Sequence, residues 1–187
     1  MTRTEITRLR EKGRTDRAAL DALLDSCIVG HFALVGDDGH PVVIPTAIVR
    51  DGDRVLVHGS TGSHWLRRLA DGAPTSLGVT AMDGVVIARS AFESSLHYRS
   101  AVLFGSCTPI ADTERALDLI TERLVPGRTA EIRRPYRAEL AATLVLELPI
   151  VEWSLKVSDG WPDDPDDDVA GDAWAGVVPL RASPDAP

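Results

Sequence analysis

The stretch "VLVHGSTGSHWLRRLADGA", Val55 to Ala73, concentrates groups that hold anions. Ser60, Thr61 and Ser63 put three hydroxyls within four residues, and Gly59 and Gly62 let the backbone bend tightly between them. A helix starting near Ser63 would aim its unpaired N–H groups and its dipole at the same spot. His64 adds a donor there, and Arg67 or Arg68 a charge. That set suits a phosphate monoester. A plain serine-capped helix after a hairpin has the same local pattern, so the turn alone leaves both readings open. It contains no lysine and does not match the nucleotide-binding loop of the common ATPases. His58 ends the preceding apolar run, where it could donate a proton, touch a substrate, or simply hydrogen-bond the turn.

Other side chains offer less. His58 and His64 stand across a bend, and His31, His40 and His97 are dispersed, so no metal site is expected. A serine-nucleophile elbow is missing. Arg99 interrupts the apolar "HYRSAVLFGSCTPI" and needs an anionic partner, either a phosphate or a carboxylate. Arg89 in "IARSAF" poses the same question more weakly, and Lys156 reads as a surface cation or a groove residue.

These residues must be positioned by short elements. "TDRAALDALLDS" and "DTERALDLITERLV" have helical spacing behind Thr or Asp caps. "HFALV", "PVVIPTAIV" and "RVLVH" read as a three-strand meander with turns at "GDDGH" and "RDGD". "TSLGVTAM" and "GVVIARSAF" read as a hairpin joined at Asp83-Gly84, followed by the long strand at His97 and a last strand "LVLELPIVEWSLKV". Strands joined by hairpins, with few helices, predict a mainly β, α+β fold: a small barrel with helices at its edges.

The length of 187 residues predicts one domain over 1–158. An appendage over 159–187 is expected to dock back through "WAGVVPL", with Trp174 as packing or as a lid. The net charge of −8 is local: seven aspartates lie between Asp159 and Asp172, and without them the chain is near −1. That segment is expected to be solvated, and the nearly neutral remainder argues against a nucleic-acid partner. No apolar run approaches membrane-spanning length and no signal peptide is visible. Cys27 and Cys107, far apart in apolar surroundings, suggest buried thiols and a cytoplasmic protein.

The order "VVIPTAIVRDGDRVLVHGSTGSHWLRRL", "DGVVIARSAF", "HYRSAVLFGSCTPI", "ELAATLVLELPIVEWSLKV" and "WAGVVPL" resembles the pyridoxamine 5′-phosphate oxidase-related flavoproteins. Its nearest likeness is their nitroimidazole-resistance-type branch, over residues 15–180. The resemblance implies a split β-barrel homodimer with FMN in grooves between subunits. It places Ile44, Pro45, Thr46 and Ala47 along the isoalloxazine, and His58, Gly59, Ser60, Ser63 and His64 around the phosphate. Arg99 and Ser100 are implied near the phosphate or ring, and His58 is the one candidate for a catalytic part. Where the vitamin B6 oxidase carries an Arg-Lys pair, "SHW" stands here, and the arginine-containing substrate segment is absent; B6 oxidation is not expected. An FMN-dependent oxidoreductase acting on a small molecule is expected, with reduced nicotinamide as donor and a nitroaromatic, a quinone or oxygen as acceptor. The alternative is a carrier or sensor module binding flavin, F420 or haem without turnover.

Overall fold

The computed structural model describes residues 2–180. After a short strand β1 (Gly13–Arg14), helix α1 (Arg17–Ser26) starts at Asp16, whose carboxylate accepts from the Ala18 N–H at 3.0 Å. Its stripe of Leu20, Leu23 and Leu24 is buried. Strands β2 (Val29–Val35) and β3 (Pro41–Ala47) form a hairpin whose turn uses Gly39 at φ 83°. The chain then changes sheets through buried Ile48. Strands β4 (Val49–Asp51) and β5 (Arg54–Ser60) pair through Gly52 at φ 59°.

Helix α2 (His64–Ala70) follows the Gly/Ser turn, and β6 (Pro74–Ile87), β7 (Ser95–Ser106) and the short β8 (Thr108–Pro109) come next. Helix α3 (Thr113–Leu124), capped by Asp112, and α4 (Arg137–Ala141) lead to β9 (Thr143–Pro149) and β10 (Glu152–Ser158). The chain ends in α5 (Asp166–Val169) and β11 (Gly176–Pro179).

Two sheets result. One runs β1-β10-β7-β6-β2-β3, with β11 added to the β6 edge beyond the end of β2; the other runs β4-β5-β9-β8. The main core, with Phe32, Leu66, Leu77, Leu103 and Leu146, lies between them under α1 and α2. A smaller cluster of Leu56, Val145, Ala116 and Ile120 fixes α3 to the other face of the second sheet. This is a split β-barrel with flanking helices. Among the described residues no helix is long and apolar enough to cross a membrane.

Three local expectations are corrected. The meander is divided, because β3 pairs only with β2 while β4 and β5 belong to the second sheet. Asp83-Gly84 is not a hairpin but a bulge inside the continuous β6. "LVLELPIVEWSLKV" is two strands in different sheets, separated at Ile150-Val151. Asp164 also departs from a solvated acidic loop: its side chain is 3% exposed and accepts from the Arg89 N–H at 2.7 Å and Arg89 Nη1 at 2.9 Å. The C-terminal segment pairs Gly176 with Ile87 and Pro179 with Gly84; residues 181–187 of the expected appendage lie outside the described residues.

Candidate functional site

The two sheets part between β3 and β5. β3 is an edge strand, so one row of its main-chain groups has no sheet partner. β5 pairs with β9 along its whole length, but β4 covers only Arg54 to Leu56, so Val57 to Ser60 also present a free edge. β3 and β5 lie side by side. The split therefore collects Ile44, Pro45, Thr46 and Ala47 from one strand and His58, Gly59 and Ser60 from the other, and it ends at the turn. Ile44 and Thr46 share the inward face with Phe32 and Gly30, whereas Pro45 and Ala47 stand outward beside His31 and Val29.

Much of the turn's polarity is spent on itself. The Thr61 N–H donates to Ala142 O at 2.9 Å, the Gly62 N–H to Ser60 Oγ at 3.1 Å, and the Ser63 N–H to Ser60 O at 2.9 Å. Ser60 Oγ keeps its own hydrogen to donate, and Ser63 caps α2 without a side-chain bond, so its hydroxyl is free. Together with the first-turn N–H groups of α2 they form the donors left for an anion. Gly59 packs closely under α2, since a Cβ there would stand 3.3 Å from Leu66 Cδ2.

His64 and Arg68 converge on a residue the sequence did not single out. Asp37, on the β2–β3 turn, accepts from His64 Nε2 at 2.8 Å and forms an ion pair with Arg68 Nη1 at 2.9 Å, while the same Arg68 nitrogen donates to Val35 O at 2.6 Å. Arg67 is exposed, and among the described residues no carboxylate pairs with it. His58 faces the α3 side of β5 with Leu56, opposite Val145. Its Nδ1 is buried without a partner, and desolvation lowers its pKa, keeping the ring neutral near pH 7.

Arg99 and Ser100 are not brought to the turn. Arg99 lies opposite Ala81, beyond the first residue of β2, while the turn lies beyond its last. The seven residues of β2 separate them by roughly 20 Å. Two 2.9 Å bonds join Arg99 to Asp83, whose carboxyl is held below its usual range by that guanidinium. Ser100 points to the opposite, outward face, between Thr80 and Lys156. Lys156 donates to Arg8 O at 3.2 Å. Trp174 covers Gly176 at the far end of β6, away from the Gly/Ser turn. Cys27 and Cys107 are unpaired thiols, and burial pushes Cys107 up to about 12.

The family model for pyridoxamine 5′-phosphate oxidase matches residues 16–157. The chain belongs to that family. Among solved structures, it is 53% identical to the FAD and haem binding protein from Mycobacterium smegmatis, over 94% of this chain and 91% of that one, with a TM-score of 0.87. It is 34% identical to the flavocytochrome Anf3 from Azotobacter vinelandii, over 100% and 93%, with a TM-score of 0.91. A 5-nitroimidazole antibiotic resistance protein from Bacteroides thetaiotaomicron shares the fold at 17% identity and a TM-score of 0.63, over 78% and 86%. No curated protein matches the chain.

Within this family the sequence signal for the turn was its Gly/Ser composition. Asp37 gave none, and Arg68 was visible only as a possible charge beside Arg67, because only the packing of α2 against the β2–β3 hairpin unites Asp37, Trp65 and Arg68. Leu34, Val42 and Trp65 form the apolar floor of a cleft of about 320 Å³ there, rimmed by Asp37, His64 and Arg68.

Proposed function

We propose that this chain is a flavin-binding redox protein, active in the cytoplasm as a homodimer. What carries the reading is the split between β3 and β5, which ends on a hydroxyl-rich turn. A 53%-identical family member named for FAD and haem binding supports it. The flavin phosphate is received by Ser60, Ser63 and the first-turn N–H groups of α2, and the ring runs along Ile44 to Ala47. A bound flavin supplies hydride and single-electron chemistry. This chain's residues orient it: the free edge of β3 donates and accepts main-chain hydrogen bonds, and Ile44 keeps water from the inner side. We assign no proton transfer to His58, which faces α3.

The second subunit is inferred from the outer face of the first sheet. There Val29 and Val43 are 45% and 57% exposed beside Ala33, Pro45 and His31. An apolar sheet face of that kind calls for a partner, and a second copy would close the groove along β3.

Oxidoreductase turnover on a small molecule, with reduced nicotinamide as donor, is the expected activity. The purified protein should show a flavin spectrum, release the flavin on heating, and oxidise reduced nicotinamide faster than free flavin does. A rate no better than free flavin would instead assign it to the carrier class. A colourless protein that takes up no added flavin would overturn the reading.

Haem as a second group is favoured by the name of the 53%-identical relative. Among the described residues one chain offers it no evident ligand: His64 and His97 already bond Asp37 and Gly160 O, and the free nitrogen of His58 is buried. His31, exposed amid the apolar outer face, is the histidine a second copy would enclose. A Soret band that survives His31→Ala would remove that assignment.

A further inference from the structure

We infer that the cleft between α2 and the β2–β3 turn is an adenosine subsite, so that the flavin is bound as a dinucleotide. The inference rests on the phosphate placement proposed above and adds what lies beyond it. His64 belongs to both places: it opens α2 directly after the phosphate turn and also lines the cleft. A group leaving the turn past His64 therefore meets the cleft.

The cleft's chemistry matches a purine nucleoside. Its floor of Leu34, Val42 and Trp65 is apolar, and Trp65 is anchored from behind by Phe32, with ring centroids 6.2 Å apart. A fixed indole beside aliphatic side chains suits a planar base. About 320 Å³ is at the small end for ligand sites, enough for one nucleoside but not for a second isoalloxazine beside it. At the rim, Asp37 is a carboxylate with two oxygens, one bonded to His64 and the other to Arg68. Each oxygen retains a lone pair for a ribose hydroxyl. Acidic recognition of ribose hydroxyls is the usual solution in dinucleotide sites of other folds. Arg68, held by Asp37 and Val35 O on the cleft rim, supplies a cation for a second phosphate entering the cleft. The ion pairs also fix Asp37 and Arg68 before a ligand arrives, which reduces the ordering cost of binding.

The test is a pair of titrations, FMN and FAD, by flavin fluorescence and equilibrium dialysis, on the full chain and on two variants. Wild type should bind FAD at least about tenfold more tightly than FMN, roughly what one hydrogen bond to a charged group contributes. Asp37→Asn, at an exposed turn position, should collapse that ratio toward one. Val42→Trp, which fills the cleft, should do the same while leaving FMN binding within about twofold. Equal affinity of wild type for the two flavins, or a ratio untouched by both variants, overturns the subsite and leaves the flavin reading standing. Failure of both flavins to bind overturns the flavin reading itself. Circular dichroism and thermal melts on each variant separate a lost site from a lost fold.

Discussion

Ser60 and Ser63 look equivalent in the sequence but do different work in the fold. Ser60 Oγ accepts from the Gly62 N–H and so shapes the turn, whereas the Ser63 hydroxyl makes no bond within the protein. Ser63→Ala should therefore weaken flavin binding by about 1 kcal/mol with an unchanged melting temperature. Ser60→Ala should lower both. Equal effects of the two on flavin titration and thermal melts would contradict this division. His58 makes a second residue-level test. Its folded pKa is depressed by burial below an unfolded value of roughly 6.5. The unfolded chain thus takes up the proton first as pH falls. The folded state bears no such penalty above that value, and loses stability as pH drops through it toward the folded value. His58→Asn should make the melting temperature fall less between about pH 7.5 and 5.5. An acid-side slope identical to wild type would mean that the ring is not buried neutral.

At the scale of elements, the long-range pin at the C-terminal end makes the clearest prediction. Asp164 is buried against Arg89, whose Nε already lacks a partner, so Asp164→Ala strands a half-buried guanidinium. The cost should be roughly 2–3 kcal/mol in denaturant unfolding. Hydrogen exchange at Val177 and Val178 should accelerate as β11 loosens from β6. Elements set by local chemistry were legible beforehand. Asp16 and Asp112 announce α1 and α3, and Gly39 and Gly52 take the positive φ their turns need. Asp83-Gly84 carries the same dipeptide signal and yet lies inside a strand. There the glycine lets β11 approach closely: a Cβ would stand 3.1 Å from Val178 O. That partner lies almost a hundred residues away, outside any local window. The continuous apolar run through Pro149-Ile150-Val151 likewise conceals a change of sheet, with Ile150 buried and Val151 exposed. The turn at Ser60 was legible for its composition, with Arg67 or Arg68 as its cation; Asp37 and its pairing with Arg68 became visible only through packing.

For the whole molecule, the two sheets serve different ends. The second sheet is covered on one face by the core and on the other by α3, so it is finished within one protomer. The first sheet is finished on its inner face alone. Val29, Val35 and Val43 remain open on the outer one, and the free edge of β3 runs along its margin. The candidate cofactor groove follows the same margin, so in the proposed dimer assembly would be coupled to cofactor binding. Val43→Asp puts a charge at the middle of that face without touching Phe32, Leu34 or the rest of the core, because Val43 points outward opposite Ala33. The variant should stay folded, sediment as a monomer, and lose flavin affinity by about tenfold or more, since half of the groove would then be water. Sedimentation and flavin titration on the same sample separate the alternatives. A variant that remains dimeric places the interface elsewhere. One that becomes monomeric with unaltered flavin affinity shows that a single protomer holds the whole site, and that the turn, the split and the Asp37 cleft suffice by themselves.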